Sequence, residues 1–143
     1  MYCFGQGASQ SYEDAAKWYR MAAEQNLPEG LDNLGTLYED GRGVSQSYTE
    51  AKKHYQEAAN QGLANAQANL GGIFSREGNH SEAVKWYTKA AEQGHSIGQF
   101  NLGLKYARGE GTPFDKDKAV SYLRKAASQG LSQAQEALKL LGV

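Results

Sequence analysis

Residues 33–62 read NLGTLYEDGRGVSQSYTEAKKHYQEAANQG, and this string returns along the chain. The tripeptide NLG occurs at Asn33-Leu34-Gly35, Asn69-Leu70-Gly71 and Asn101-Leu102-Gly103, in steps of 36 and 32 residues. Each is followed three residues later by an aromatic: Tyr38, Phe74 and Tyr106. AAxQ closes four segments, at Ala22-Ala23, Ala58-Ala59, Ala90-Ala91 and Ala126-Ala127, in steps of 36, 32 and 36. An alanine column (Ala15, Ala51, Ala83, Ala119) and an aromatic-rich column (Tyr19, Tyr55, Tyr87, Leu123) keep the same phase. A fixed period of this length is the signature of a solenoid built from one repeated supersecondary unit.

Each period holds two amphipathic helices. Helix A is expected over Glu29 to Asp40, Asn65 to Arg76, Ser96 to Arg108 and Ser132 to Leu141, with Leu31, Leu34 and Tyr38 at helical spacing. Helix B is expected over Tyr12 to Gln25, Tyr48 to Gln61, His80 to Gln93 and Lys116 to Gln129. There Ala15, Tyr19, Ala22 and Ala23 form one stripe. Ser11, Ser47, Asn79 and Asp115 precede the helices B and suit N-caps, because a side-chain oxygen can accept from the first unpaired N–H groups. Helix B closes at Asn26, Gly62, Gly94 and Gly130, residues that tolerate a left-handed C-cap. Helix A closes at Gly5, Gly41, Gly78 and Gly109. Glycine in mid-helix costs about 1 kcal/mol relative to alanine. Its return at Gly35, Gly71 and Gly103 implies that no Cβ fits there.

Composition agrees with an all-α chain. Of 143 residues, 20 are Ala against 10 Val, Ile and Thr together, which disfavours sheet. Lys and Arg number 15 and Asp and Glu 16, a net charge of -1. That balance argues against a nucleic-acid surface, which needs a basic excess. No run approaches the ~18 apolar residues of a membrane span. The lone Cys3 provides no internal disulfide.

These motifs resemble the Sel-one-like repeat (SLR) family, a relative of the tetratricopeptide repeat, over essentially the whole chain. The matching segments are NLGTLYEDGRGV…EAKKHYQEAANQG, NLGGIFSREGN…EAVKWYTKAAEQG and NLGLKYARGEGT…KAVSYLRKAASQG. Departures are His54 and Tyr122 in the column of Trp18 and Trp86, and a third loop four residues shorter. The resemblance implies an all-α, right-handed superhelix of antiparallel helix pairs, with helix A lining the concave face. It further implies a scaffold or adaptor that binds a protein or extended peptide. Many relatives are bacterial and associated with envelope, secretion or host contact. The cysteine-stapled subgroup's features do not carry over to a chain with one cysteine.

The expected organisation is a partial repeat over 1–26, a repeat over 27–62, a short repeat over 63–94, a repeat over 95–130 and a closing helix over 131–143. MYCFGQGASQSYEDA matches LYEDGRGVSQSYTEA on a 36-residue shift, so the first residues read as repeat, not as a signal peptide. The first helix B carries Trp18, Tyr19 and Met21 without most of its partner helix. Self-association through this uncapped end, or cover from Met1 to Phe4, is therefore expected.

No catalytic, metal or cofactor motif is visible. His54 reads as packing in the Trp column, and His80 and His95, near helix ends, as solvated. The GxG strings at Gly5/Gly7, Gly41/Gly43 and Gly109/Gly111 close helices, so capping is expected of them and not phosphate binding. By analogy with tetratricopeptide domains, the groove candidates are Glu29, Asp32, Asn33, Thr36 and Glu39; Asn65, Ala68, Asn69, Gly72 and Ser75; Ile97, Phe100, Asn101, Leu104 and Arg108; and Gln133, Glu136 and Leu140. Asn33, Asn69 and Asn101 share one phase and could pair with peptide units, since an amide both donates and accepts. The same column could instead tie helix A to the preceding helix B. Asp32 and Glu39 would favour a basic residue, and Ile97, Phe100 and Leu104 an apolar one. Phe100 is expected to leave stability unchanged when truncated. The competing functional classes are a hydrolase or small-molecule binder and a purely structural array.

Overall fold

A computed structural model describes residues 8–143 of the protein, all of its regular structure helical. The eight helices are α1 (Ala8–Glu24), α2 (Pro28–Asp40), α3 (Tyr48–Asn60), α4 (Ala64–Arg76), α5 (His80–Glu92), α6 (Ser96–Arg108), α7 (Lys116–Ser128) and α8 (Ser132–Leu140). Helices A and B alternate as the repeat dictates, so the architecture is the all-α, tetratricopeptide-like one. The chain divides into two compact units, Met1–Ala66 and Gln67–Val143. In the first, α2 packs on α1 and α3; in the second, α6 packs on α5 and α7, and α7 on α8. Cys3, Gly5, Gly7 and the Met1 to Phe4 cover lie outside the described residues.

Helix ends follow local chemistry. At the close of α3, Leu63 N–H donates to Ala58 O and Gly62 N–H to Ala59 O, the paired bonds of a Schellman cap. The same pair recurs at Ala22-Ala23, Ala90-Ala91 and Ala126-Ala127. The AAxQ string is therefore a helix terminator as well as a packing surface. The residue after it sits in the left-handed region each time; Asn26, at φ 60°, is the non-glycine example among the described residues. Ser47, Asn79 and Asp115 accept from the N–H of Glu50, Glu82 and Lys118, at 3.1, 3.3 and 3.0 Å.

Two local expectations are corrected. Ser11 does not cap: α1 begins at Ala8 and runs through it. Alanine, the strongest helix former, stands there in place of the β-branched Val44 and Thr112 of the other long loops. His95 is not solvated: its Nδ1 accepts from Gly98 N–H at 3.1 Å and caps α6.

The core explains the small residues. A Cβ on Gly35 or Gly71 would lie 2.8 or 2.6 Å from the ring of Tyr55 or Tyr87, and one on Gly103 would lie 2.8 Å from Leu123. The aromatic column of each helix B thus passes beneath the NLG glycine of the preceding helix A. The second glycine of each GxG does more than cap. Gly43 abuts the backbone of Tyr12, and Gly111 that of His80, so each long loop seats against the start of the preceding helix B with no room for a side chain.

Candidate functional site

The candidate residues lie, unit by unit, on the sides of the helices A that carry Asn33 in the first unit and Asn69 and Asn101 in the second. In the first unit, α2 exposes Asn33 and Thr36 one turn apart. Tyr55 reaches this face from α3, under Gly35. Its hydroxyl donates to Glu39 Oε1 at 2.7 Å and lies 3.1 Å from Thr36 Oγ1. Burial pushes the Tyr55 phenol well above its ordinary pKa, and Glu39 adds to the shift, so the proton stays on the tyrosine. Glu39 is therefore held by its own scaffold.

Asp32 departs from expectation. It is buried at 3% exposure and accepts from Asn65 Nδ2 at 2.7 Å. It ties helix A of one repeat to helix A of the next and is not a solvent-facing selector for basic residues.

In the second unit, Ile97 is exposed, and Asn69 and Asn101 are half-buried. Phe100 and Leu104 do not form a free apolar patch. Both pack against the core cluster of Leu123 and Ala126 from α7 and Ala134 from α8. The column of Asp32, Ala68 and Phe100 is thus a seam between successive helices A: Asp32 meets α4, Ala68 is buried, and Phe100 meets the α7–α8 cluster. Arg108 is exposed, 4.0 Å from Glu110.

Asn33 and Asn101 do not supply bonds between helices A and B: their side chains engage no hydrogen-bond partner among the described residues. The tie between helices is made by glutamines. Gln93 Nε2 donates to the buried Gln67 at 2.9 Å, and Gln129 Nε2 to the buried Gln99 at 2.8 Å. The glutamine of AAxQ thereby supplies a hydrogen bond to a buried amide. The recurrence of glutamine at 67 and 99 was the signal for it.

Lys105 is a second feature that periodicity hid. It occupies the core column of Leu37 and Ile73 yet is 5% exposed. Its Nζ donates to Ser75 Oγ at 2.8 Å and Glu110 Oε1 at 3.3 Å, and lies 2.7 Å from His80 Nδ1. The expectation of a solvated His80 is corrected accordingly. The pairing with Lys105 holds the Glu110 carboxyl below its usual pKa. Lys105 Nζ thus lies within hydrogen-bond distance of Ser75, His80 and Glu110 together. Among the described residues no group of three His, Cys, Asp or Glu side chains could hold a metal ion.

The Sel1 repeat model matches residues 1–27, 28–63, 64–95 and 96–131. The chain belongs to the Sel1 repeat family. No curated protein shows a significant match. Among solved structures, this Sel1 chain is similar to c5321, a protective antigen of uropathogenic Escherichia coli with an SLR fold, at 39% identity and a TM-score of 0.82. The match covers 90% of this chain and 30% of that one. A Sel1 repeat protein from Oxalobacter formigenes matches at 36% identity and TM-score 0.81, over 92% of this chain and 55% of that one. Cysteine rich protein B of Helicobacter pylori shares the fold, at 23% identity and TM-score 0.67, over 94% and 99% of the two chains. The Sel1 segment therefore spans about a third to a half of the length of the first two. Sel1 repeat proteins are in general protein–protein interaction scaffolds without catalytic activity. No described helix is long and apolar enough to cross a membrane.

Proposed function

We propose that this Sel1 segment is a non-enzymatic scaffold that holds a protein or extended peptide against the exposed faces of its helices A. The observation that carries the reading is one uncommitted amide on each unit: Asn33, near the already bonded Asp32, Thr36 and Glu39 in the first, and Asn101, one turn from the already bonded Lys105 in the second. A surface amide left unpaired by its own chain can accept from one peptide N–H and donate to one C=O, independent of side chain. Selectivity falls to the exposed Ile97 and Arg108. A displayed peptide library selected on the immobilised chain tests this. Selected peptides should bind the Asn33→Ala/Asn101→Ala variant at least about tenfold more weakly, a loss of about 1.4 kcal/mol, with the melting temperature unchanged. Equal binding to parent and variant would remove the proposal.

A further inference from the structure

A cleft on the first unit lies apart from that face and is explained by two coupled departures from the repeat. In α5 the column of large rings is filled by Trp86, which is 5% exposed, with the Lys89 ammonium 4.5 Å from its ring centroid. In α7 Tyr122 fills it, with Lys125 5.1 Å from the ring. Each is a ring covered by a cation three residues further along the same helix, a favourable arrangement because the ring face is electron-rich. In α3 both members change at once: His54 replaces the large ring, and Glu57 replaces the lysine.

What remains is an open cleft of about 300 Å3 between α1, α2 and α3. Leu31, Leu34 and Tyr38 contribute apolar surface, and His54 stacks on Tyr38 with centroids 5.6 Å apart. Among the described residues the buried His54 Nδ1 has no hydrogen-bond partner. Glu24, Glu50 and Glu57 line the cleft, against the cations Arg20 and Lys53. Arg20 is turned toward the Tyr38 hydroxyl at 3.5 Å. The volume is at the small end for a ligand site, enough for one ring system.

We propose that this cleft receives an aromatic side chain, tryptophan best, from a partner polypeptide that carries a basic residue one helical turn further on. The incoming ring supplies the indole that His54 lacks, and the incoming cation meets Glu57 and Glu24 where α5 and α7 carry their own lysines. The partner thus restores in trans the ring-and-cation pair that α5 and α7 hold in cis. Buried tryptophans of this kind are characteristic anchors of protein interfaces.

The test is amide NMR of the intact chain titrated with a short helical peptide bearing one Trp and, three residues later, one Lys. Saturable shifts centred on Ala23, Leu31, Tyr38 and His54 are expected. Replacing the peptide's Trp by Ala should abolish them, and replacing its Lys by Glu should weaken binding more than about tenfold. Two protein variants close the argument. His54→Trp fills the cleft from within and should abolish binding. Glu57→Lys, a surface change that spares the fold, should weaken binding more than about tenfold. Binding that survives Glu57→Lys unchanged, shifts centred on α6 instead, or no saturable binding would each overturn the proposal. So would concentration-dependent shifts at the cleft without peptide, which would assign it to a second copy of this chain.

Discussion

His54 stands in a column otherwise held by Trp18, Trp86 and Tyr122, and besides opening a cleft the exchange puts a titratable ring in partly desolvated surroundings. Burial lowers its pKa below the ordinary 6.5; Glu50 and Glu57 oppose the shift, and Lys53 and Arg20 reinforce it. A proton therefore binds the folded chain less readily than the unfolded one. The resulting stabilisation is fully present above the unfolded pKa and is lost as pH falls through that value toward and below the folded one. The urea midpoint of the parent should accordingly drop between about pH 8 and pH 5 by more than that of His54→Gln, which has no proton to take up. Identical pH slopes for the two would show that the ring is not desolvated in solution.

At the scale of the helix pair, the crossing of α4 and α5 turns on Gly71 and Tyr87. The Tyr87 ring lies where a Cβ would go, and burial pushes its phenol up to about 12. Gly71→Leu should overpack this crossing and cost ~1–3 kcal/mol in chemical denaturation, more than any gain from replacing a mid-helix glycine. A variant as stable as the parent would mean the helices move apart freely. This crossing was legible in the sequence, because a helix-unfavourable residue recurring in phase has few explanations besides room. The element boundaries other than the start of α1 were legible for the same reason: caps, alanine stripes and glycine stops agree there. The glutamine pairs and Lys105 were not. Periodicity reports which face of a helix is covered, but not which polar group on the covering element reaches it. Lys105 breaks the apolar pattern of Leu37 and Ile73 because a long stem can be buried while its ammonium finds Ser75, His80 and Glu110.

At the scale of the chain, solenoid stability is the sum of each repeat and its interfaces with its neighbours, so the contacts between successive helices A matter as much as those within a pair. These contacts were the part of the candidate site least visible beforehand. Asp32 and Phe100 read as groove residues by analogy, since the repeat phase alone does not say how far one helix A is turned toward the next. The last described helix, α8, differs from the earlier helices A in the glycine column. Lys139, 3.9 Å from Glu136, stands where Gly35, Gly71 and Gly103 admit a following helix B, and Leu140 is 88% exposed. What holds α8 is its inner side, where Ala134 joins Leu123 and Ala126, flanked by Phe100, Leu138 and Leu141. Phe100→Ala should therefore cost about 2 kcal/mol, below the range for a fully buried Phe because the ring is half-buried. Amide exchange should accelerate through Ser132–Leu140 before it does so in α5. If Phe100→Ala leaves both stability and α8 protection unchanged, the ring belongs to a free binding face and the seam assignment fails.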